Sequence, residues 1–335
     1  MKVLAFETSC DETSCAVTSD REVLSLYTIS QIDRHEIFGG VVPEIASRLH
    51  VECIVNLTRK ALERANLDWR GIDGIAVTFA PGLIGALLVG VNFAKGVALA
   101  LKKPLIPVHH IRAHIAANYI ASPGLKPPFL ALVVSGGHTQ IVGVRDYNKF
   151  EIIGRTRDDA AGECFDKAAR ALGLPYPGGV HLDRLAEKGN AGNIRLPTPR
   201  VENSPYDFSF SGLKTAMVNL IHNAKQKDET VCSADVAAAL RAKVAEILTG
   251  RTLLAAENFG YDTVVLAGGV SANSELRRRM KEECESRGIS LHIPPVELCG
   301  DNAAMVGVQA GYEYAAGNMA DMSLNAAATL PIDYV

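Results

Sequence analysis

The sequence predicts an α/β protein built from two similar lobes, and three observations support this prediction. The chain has 335 residues, which suits two domains of ordinary size. Apolar residues make up 48% of it and charged residues 21%, as in globular proteins with a sizeable core. An order of strand, turn, strand, strand and helices occurs twice, which indicates an internal duplication. We therefore expect two α/β lobes that face each other across a cleft.

The first copy begins at residue 3 with a short apolar run that ends in Glu7. A polar, turn-like run follows it, and two further runs have the composition of strands. Helical periodicity appears twice after them. The predicted strands are residues 3–7, 15–18 and 23–30, and the predicted helices are residues 51–65 and 84–101.

The second copy repeats this order after residue 128. Its predicted strands are residues 129–134, 139–144 and 150–155, followed by a helix at 159–172, a long helix at 234–258, a strand at 263–266 and a closing helix at about 302–316. We expect a first lobe over residues 1–108, completed by a C-terminal helix at about 302–320. A second lobe with helical insertions is expected over residues 109–301.

Charge and composition exclude several classes of protein. There are 34 lysines and arginines against 37 aspartates and glutamates, a net charge of −3, so any RNA-binding surface must be local or come from a partner. No stretch reaches the ~18 uninterrupted apolar residues of a membrane span, and Glu7 comes too early for a signal peptide. The seven scattered cysteines form no CxxC pair, which excludes a zinc ribbon. We expect a cytoplasmic protein with reduced thiols and no membrane partner.

Three glycine pairs follow apolar strands or lie in sharp turns: Gly136-Gly137, Gly178-Gly179 and Gly268-Gly269. Glycine lets backbone N–H groups approach an anion closely, and a helix start adds a favourable dipole. One such pair is usually a structural turn, whereas three in one chain favour a nucleotide held between the lobes. The chain has neither a P-loop motif nor a GxGxxG that opens a helix after the first strand, which argues against P-loop and Rossmann chemistry.

Two histidines four residues apart, His110 and His114, share one face if their segment is a helix. Such a pair can bind one metal ion with a third ligand from elsewhere, and Asp301, at a predicted helix start, is a candidate. The spacing alone leaves an alternative open, in which His109 and His110 cap a helix and His114 packs in the core. A metalloprotease is disfavoured because its HExxH motif needs a glutamate where this chain has Ile111.

Three carboxylates, Glu7, Asp11 and Glu12, surround the first turn. A strand–turn–strand with polar tips is how kinase-like lobes grip phosphate and metal, but an ordinary hairpin in which Asp11 caps the turn fits the same residues. Glu7 is unusual because it ends an apolar strand, where an unpaired charge would be costly.

A collinear set of motifs extends over almost the whole chain. In order they are ETSCDET at 7–13, GGVVPEIASR at 39–48, PGLIGAL at 81–87, His109-His110 with His114, VSGGHTQ at 134–140, DDAAGE at 158–163, FDK at 165–167, YPGG at 176–179, FSFSGLK at 208–214, GGVSAN at 268–273 and Asp301-Asn302. From residue 2 to about 317 the chain resembles the TsaD family (older name Gcp), the tRNA N6-adenosine threonylcarbamoyltransferases, in its bacterial form.

The resemblance implies the actin-like and Hsp70-like ASKHA fold, with duplicated α/β lobes and an interlobe cleft. It implies transfer of a threonylcarbamoyl group from threonylcarbamoyl-AMP to N6 of adenosine 37 in tRNAs that read ANN codons, with release of AMP. Two protein partners are also implied. They are a paralogous ASKHA subunit, TsaB, which would contact helices of the first lobe, and an ATPase, TsaE.

The resemblance further implies roles for individual residues. Asp11 maps to the proposed catalytic acid or base, and one divalent metal ion, Fe²⁺ or Zn²⁺, is expected on each chain. The implied metal ligands are His110, His114 and Asp301, and the implied substrate-binding residues are Val133, Val134, Ser135, Gly136, Gly137, Asp166, Gly179, Asp183 and Asn273.

Two other functions fit the same fold and glycine turns. A small-molecule kinase or ATPase of the ASKHA type would have no need of the pair formed by His110 and His114. A nucleotide-sensing scaffold without enzymatic activity would keep its function when the metal site is mutated.

Overall fold

The computed structural model describes residues 1–199, 201–202, 204–226 and 231–334. Within these residues there are two five-stranded sheets with helices packed on them. The chain divides into two compact units. Unit 1 comprises Met1–Pro127, Val144–Phe150 and Pro294–Val335, and unit 2 comprises Pro128–Gly143 and Glu151–Ile293. The predicted duplication of an α/β lobe is confirmed.

The elements alternate between strands and helices along much of the chain. In chain order the strands are β1 (Lys2–Glu7), β2 (Glu12–Ser19), β3 (Glu22–Ser30), β4 (Gly74–Ala80), β5 (Leu105–His109), β6 (Phe129–Val134), β7 (Thr139–Asp146), β8 (Lys149–Arg155), β9 (Thr263–Ala267) and β10 (Ser290–His292). The α-helices are α1 (Ile32–His35), α2 (Pro43–Arg64), α3 (Ile84–Leu101), α4 (His110–Ala121), α5 (Ala161–Ala171), α6 (Gly178–Ala186), α7 (Ser211–Gln226), α8 (Ser233–Phe259), α9 (Ser274–Arg287) and α10 (Ala303–Ala315).

The sheet of unit 1 has the order β3-β2-β1-β4-β5. β1 pairs antiparallel with β2 and parallel with β4, and β5 extends the parallel side. Leu4 and Phe6 pack in one core cluster with residues of α2 and α3, whereas Val3 and Ala5 pack in another with residues of α4 and α10. Because alternate residues of a strand point to opposite faces, helices cover this sheet on both sides, which explains the uninterrupted apolar sequence of β1.

Phe6→Ala is expected to lower the free energy of unfolding by about 3–5 kcal/mol, because it would leave a large cavity in the core. Phe6 has no exposed surface, and its ring meets Phe93 edge-on with the centroids 5.2 Å apart. Denaturant titration measures the effect. The control is Phe38→Ala, at a side chain that is 55% exposed, where we expect a change below about 0.5 kcal/mol. Equal unfolding midpoints for the two variants would contradict the assignment of Phe6 to the core.

The structure divides the chain differently from the predicted boundary after residue 108. Unit 1 continues to Pro127 and resumes at Pro294. The physical reason is the packing of α4, whose Ala113 and Ala117 belong to the same core cluster as β1 and α10. That helix therefore lies in unit 1 together with α10, although the two are far apart in sequence.

α3 has a composition that bears on a membrane role. It is long and apolar enough to cross a membrane by length and composition alone, and 33% of its 18-residue window is buried. Asn92 and Lys95 interrupt the apolar run, and the helix packs on β4 and α2. Core helices of globular proteins have the same composition, so α3 alone is weak support for a membrane span.

The residues after α10 form an extended tail along unit 1. Ala320 bridges to Leu105 of β5, and the Ala327 amide donates to the Phe79 carbonyl at 2.9 Å. Further on, the buried Arg112 of α4 donates from Nε to the Ile332 carbonyl at 3.0 Å. The tail thus forms hydrogen bonds both with the carboxyl end of β4 and with the N-terminal half of α4.

The sheet of unit 2 has the order β10-β9-β6-β7-β8. β6 and β9 are neighbouring parallel strands, and one core cluster joins the sheet to α5, α6, α7 and α8. β6 ends just before Ser135-Gly136-Gly137, and β9 ends just before Gly268-Gly269. Two of the three glycine pairs therefore lie at the same edge of this sheet, where parallel sheets bind ligands.

Candidate active site

The structure brings His110, His114 and Asp301 together in unit 1. α4 begins directly after β5, so its first turn presents His110 and its second presents His114 on the same face. Nε2 of His110 lies 3.1 Å from Nε2 of His114. Asp301 Oδ1 lies 3.1 Å from His114 Nε2 and 3.5 Å from His110 Nε2. Each of the three residues offers one possible metal-ligand atom, and these atoms all lie within 4.8 Å of one another. His109 caps α4 by accepting from the Ile111 amide. Helix capping by His109 and the convergence of His110 with His114 therefore occur together, although the spacing alone posed capping and metal binding as alternatives.

Glu7 explains the orientation of His110. Its carboxylate is fully buried, and its Oε2 lies 3.0 Å from His110 Nδ1. Because a carboxylate accepts, Nδ1 donates its proton to Glu7, and Nε2 is the nitrogen that faces His114 and Asp301. The Thr78 hydroxyl and the Ser9 amide donate to the two Glu7 oxygens, each at 2.6 Å. A carboxylate behind a ligating histidine is the usual arrangement at metal sites, and the sequence had signalled Glu7 only as an unusual buried acid.

The electrostatics of this cluster are dominated by negative charge. Burial alone would lower the pKa of His110, but the carboxylates of Asp301 and Glu7 more than offset it and raise the pKa to about 9. The pKa of Glu12 lies well above its usual range, because the carboxyl is buried and then because it faces Asp301 and Asp11. Two imidazole nitrogens and a carboxylate oxygen in a field of this sign fit a divalent metal ion.

Asp11 lies in the turn between β1 and β2 and is buried. Its backbone carbonyl accepts from the Gln31 amide at 2.9 Å. Both Asp11 and Asp301 raise the pKa values of Glu12 and of Cys10, so both carboxylates lie near these two side chains. The structure therefore places the candidate catalytic acid or base and the candidate metal ligands in one region of unit 1.

The glycine turns of unit 2 combine tight packing with open space. A Cβ added to Gly268, whose φ is +87°, would lie 2.4 Å from the Val134 carbonyl oxygen, whereas a Cβ on Gly269 would meet no atom within 4 Å. Gly178 is packed against Asp166 and Ala169 in the same way. Val133 and Val134 are the buried last residues of β6. The open positions, which could admit a ligand to the backbone, are Gly136, Gly137 and Gly269.

The remaining predicted substrate residues form two hydrogen-bonded pairs in unit 2. The Gly179 amide donates to Asp166 Oδ1 at 3.1 Å. Asn273, which caps α9, donates from Nδ2 to Asp183 Oδ1 at 3.2 Å. Asp183 also accepts from Arg241 Nη1 at 3.0 Å. No pattern in the sequence indicated Arg241, because α8 carries it far from either motif that it joins.

Comparison with known proteins identifies the family. The family model described as TsaD, tRNA N6-adenosine threonylcarbamoyltransferase, matches residues 22–308. The tRNA N6-adenosine threonylcarbamoyltransferase of Clostridium botulinum is 50% identical over 333 residues, which cover 99% of this chain and 98% of the relative. The enzyme of the same name from Moorella thermoacetica is 52% identical over 332 residues, covering 99% and 97% of the two chains.

A solved structure supports the fold assignment. HypF of T. kodakarensis superimposes with a TM-score of 0.62 at 16% identity, over 96% of this chain and 49% of that one. At this identity the likeness shows the fold alone, which is the ASKHA type. With a family match over most of its length and relatives about half identical from end to end, the chain belongs to the TsaD family of tRNA N6-adenosine threonylcarbamoyltransferases.

Proposed function

We propose that this chain transfers the threonylcarbamoyl group from threonylcarbamoyl-AMP to N6 of adenosine 37 in tRNAs that read ANN codons. Membership of the TsaD family supports the reaction. The observation that carries the assignment to a site is the convergence of His110, His114 and Asp301 beside the Asp11 turn. A small-molecule kinase would leave this convergent cluster without a role.

The donor is a mixed carboxylic–phosphoric anhydride, and the acceptor is a weakly nucleophilic aromatic amine. N6 forms a bond to the carbamoyl carbon, the bond from that carbon to the phosphate oxygen breaks, and AMP leaves with the electron pair. Asp11 takes the proton that N6 releases, an assistance typically worth ~10²–10⁴-fold in rate. The reaction needs no covalent enzyme intermediate, so the cysteines have no assigned chemical role.

His110, His114 and Asp301 would hold one divalent metal ion, Fe²⁺ or Zn²⁺. When bound, such an ion stabilises negative charge on phosphate and carbonyl oxygens. Glu7 fixes the tautomer of His110 in the form that a metal ligand requires, through the 3.0 Å contact with Nδ1.

The residues of unit 2 would bind the donor. The open glycine positions at Gly136, Gly137 and Gly269 let backbone N–H groups reach the phosphate of AMP. Asp166 and Asn273 would hydrogen-bond hydroxyl groups of the donor. Asp183 would act mainly by orienting Asn273, to which it is already bonded.

We also propose that the chain works with a paralogous ASKHA subunit, TsaB, and an ATPase, TsaE, in the cytoplasm. The net charge of −3 supplies no broad basic surface for tRNA. On unit 1, an apolar groove between α2 and α3 is lined by Val51, Val55, Leu88 and Phe93, and Val51 is 60% exposed. Such a groove suits a helical partner subunit.

The test is transfer to unmodified tRNA with purified donor, followed by mass spectrometry of the tRNA nucleosides. We expect multi-turnover formation of threonylcarbamoyladenosine with both partners present and little with the chain alone. Modification by the isolated chain at the rate of the full mixture would refute the need for partners. Absence of the modified nucleoside in the full mixture, together with ATP-dependent phosphorylation of a small molecule, would refute the transferase assignment.

A further inference from the structure

Four buried polar side chains of unit 1 have no part in the chemistry described above. Thr13, Gln31, His35 and His50 are each at most 3% exposed. They come from β2, from the segment after β3 and from α2. Buried polar groups are costly unless they are hydrogen-bonded, and these four are bonded to one another.

The contacts form a continuous chain. The Val42 amide donates to His35 Nδ1 at 3.3 Å, and His35 Nε2 lies 3.2 Å from Gln31 Oε1. Gln31 Nε2 lies 3.3 Å from His50 Nδ1, and His50 Nε2 lies 2.9 Å from the Cys10 carbonyl oxygen. The Thr13 hydroxyl also reaches His50 Nδ1, at 2.8 Å.

In this hydrogen-bond chain, the groups at the two ends, the Val42 amide and the Cys10 carbonyl, determine the direction of every bond. The Val42 N–H can only donate, so Nδ1 of His35 is unprotonated and Nε2 of a neutral His35 donates to Gln31. The Gln31 amide nitrogen also faces the Ala46 carbonyl, which can only accept, so that nitrogen is the donor to His50. Nδ1 of His50 then accepts, and Nε2–H donates to Cys10, whose carbonyl can only accept.

The same logic requires His50 to be neutral. A proton on Nδ1 would face the amide N–H of Gln31. Burial is the largest influence on the pKa of His50 and lowers it, and the neighbouring His35 lowers it further. The Cys10 carbonyl, Glu7 and Asp11 raise this pKa, but the net shift is downward. The net direction agrees with the neutral form that the hydrogen bonds demand.

At the His50 end, the hydrogen-bond chain contacts the turn that carries Asp11. The Cys10 carbonyl accepts from His50 Nε2, and the Asp11 carbonyl accepts from the backbone N–H of Gln31 at 2.9 Å. The two peptide groups on either side of the Asp11 side chain are thus both hydrogen-bonded, one to the His50 ring and one to the Gln31 backbone, which fixes the backbone position from which the Asp11 side chain extends.

We propose that His50 is a positioning residue, which holds the Cys10–Asp11 turn so that the Asp11 carboxylate can receive the proton from N6. This inference rests on the proposed role of Asp11. His50 touches neither substrate nor metal, and it acts through the backbone on one side of Asp11 while Gln31 acts on the other. Misplacing a catalytic group by about 1 Å from a distance costs up to ~10²-fold in rate.

The test compares His50→Leu with His50→Gln in the complete reconstituted system. Leucine removes the N–H group that bonds to the Cys10 carbonyl. We expect kcat to fall about 10- to 100-fold, with the KM for threonylcarbamoyl-AMP and the metal content unchanged. Glutamine can donate to Cys10 and accept from Thr13, so it should restore most of kcat. The matched control is Thr58→Val on the same helix. Its hydroxyl donates to the Ile54 carbonyl within α2 and lies outside the hydrogen-bond chain from His35 to Cys10, so kcat should stay at the wild-type value.

A double-mutant cycle separates this inference from the proposed function. If His50 acts through Asp11, His50→Leu should cause no further loss in an Asp11→Asn background. A full additional loss there, or wild-type kcat in His50→Leu when Asp11→Asn is slow, would overturn the inference. If Asp11→Asn itself is fully active, the proposed role of Asp11 fails, and a slow His50→Leu variant would then show that His50 acts by another route. Should the leucine variant unfold, Thr13→Val provides a second comparison, because it removes one of the two groups that donate to His50 Nδ1, and it should lower kcat with KM unchanged.

Discussion

His114→Ala is expected to remove the bound metal ion and to reduce threonylcarbamoyl transfer by about 10²–10³-fold, the usual effect of losing an electrostatic stabiliser. His114 contributes one of three converging donor atoms, and its Nε2 lies 3.1 Å from Asp301. Metal content by mass spectrometry and single-turnover transfer are the two measurements. The fold should survive, because α4 keeps its packing in the core through Ala113 and Ala117.

His110→Ala should lose metal as well, but with a larger loss of stability. Removing His110 leaves the buried Glu7 carboxylate without its charged partner, a change that typically costs about 3–5 kcal/mol. The control for both variants is His222→Ala, at an exposed histidine of α7. Full activity in a metal-free variant would refute the metal assignment, and equal stability of His110→Ala and His114→Ala would refute the role given to Glu7.

Asp11→Asn is expected to retain donor affinity and to lose transfer rate by ~10²–10⁴-fold. Asparagine has the same shape as aspartate but cannot accept the proton from N6. Donor binding by calorimetry and single-turnover transfer at saturating donor separate the two effects. Asp20→Asn, at an exposed carboxylate near the amino terminus, is the control. A collapse of donor affinity with a normal rate at saturation would make Asp11 a binding residue.

The parts of this site that the sequence could predict are those written in local spacing. His110 and His114 are four apart, so any helix through them puts both on one face. The turns at Gly136-Gly137 and Gly268-Gly269 are likewise predictable, since each of these two pairs follows an apolar strand. For Asp301, the sequence offered only a predicted helix start, and the pairing with the two histidines depends on α10 packing against α4.

What the sequence could not reveal are contacts between distant segments. Glu7 was recognisable as an odd buried acid, but its partner, His110, lies in α4. Gln31 and His50 look like ordinary polar residues of a loop and a helix, and only the folded chain shows that both reach the Asp11 turn. The boundary after residue 108 differs from the structure for the same reason, because the helix that covers α4 comes from the end of the chain.

The discontinuity of unit 1 has a consequence for synthesis on the ribosome. The histidine pair is synthesised before most of unit 2, whereas Asp301, α10 and the tail that bonds to Arg112 are synthesised after it. A nascent chain of the first 300 residues therefore holds the two imidazoles and lacks the carboxylate. Until that last segment is released, β1 also lacks α10, one of the two helices that cover the face of Val3 and Ala5, so this apolar face stays partly exposed on the growing chain.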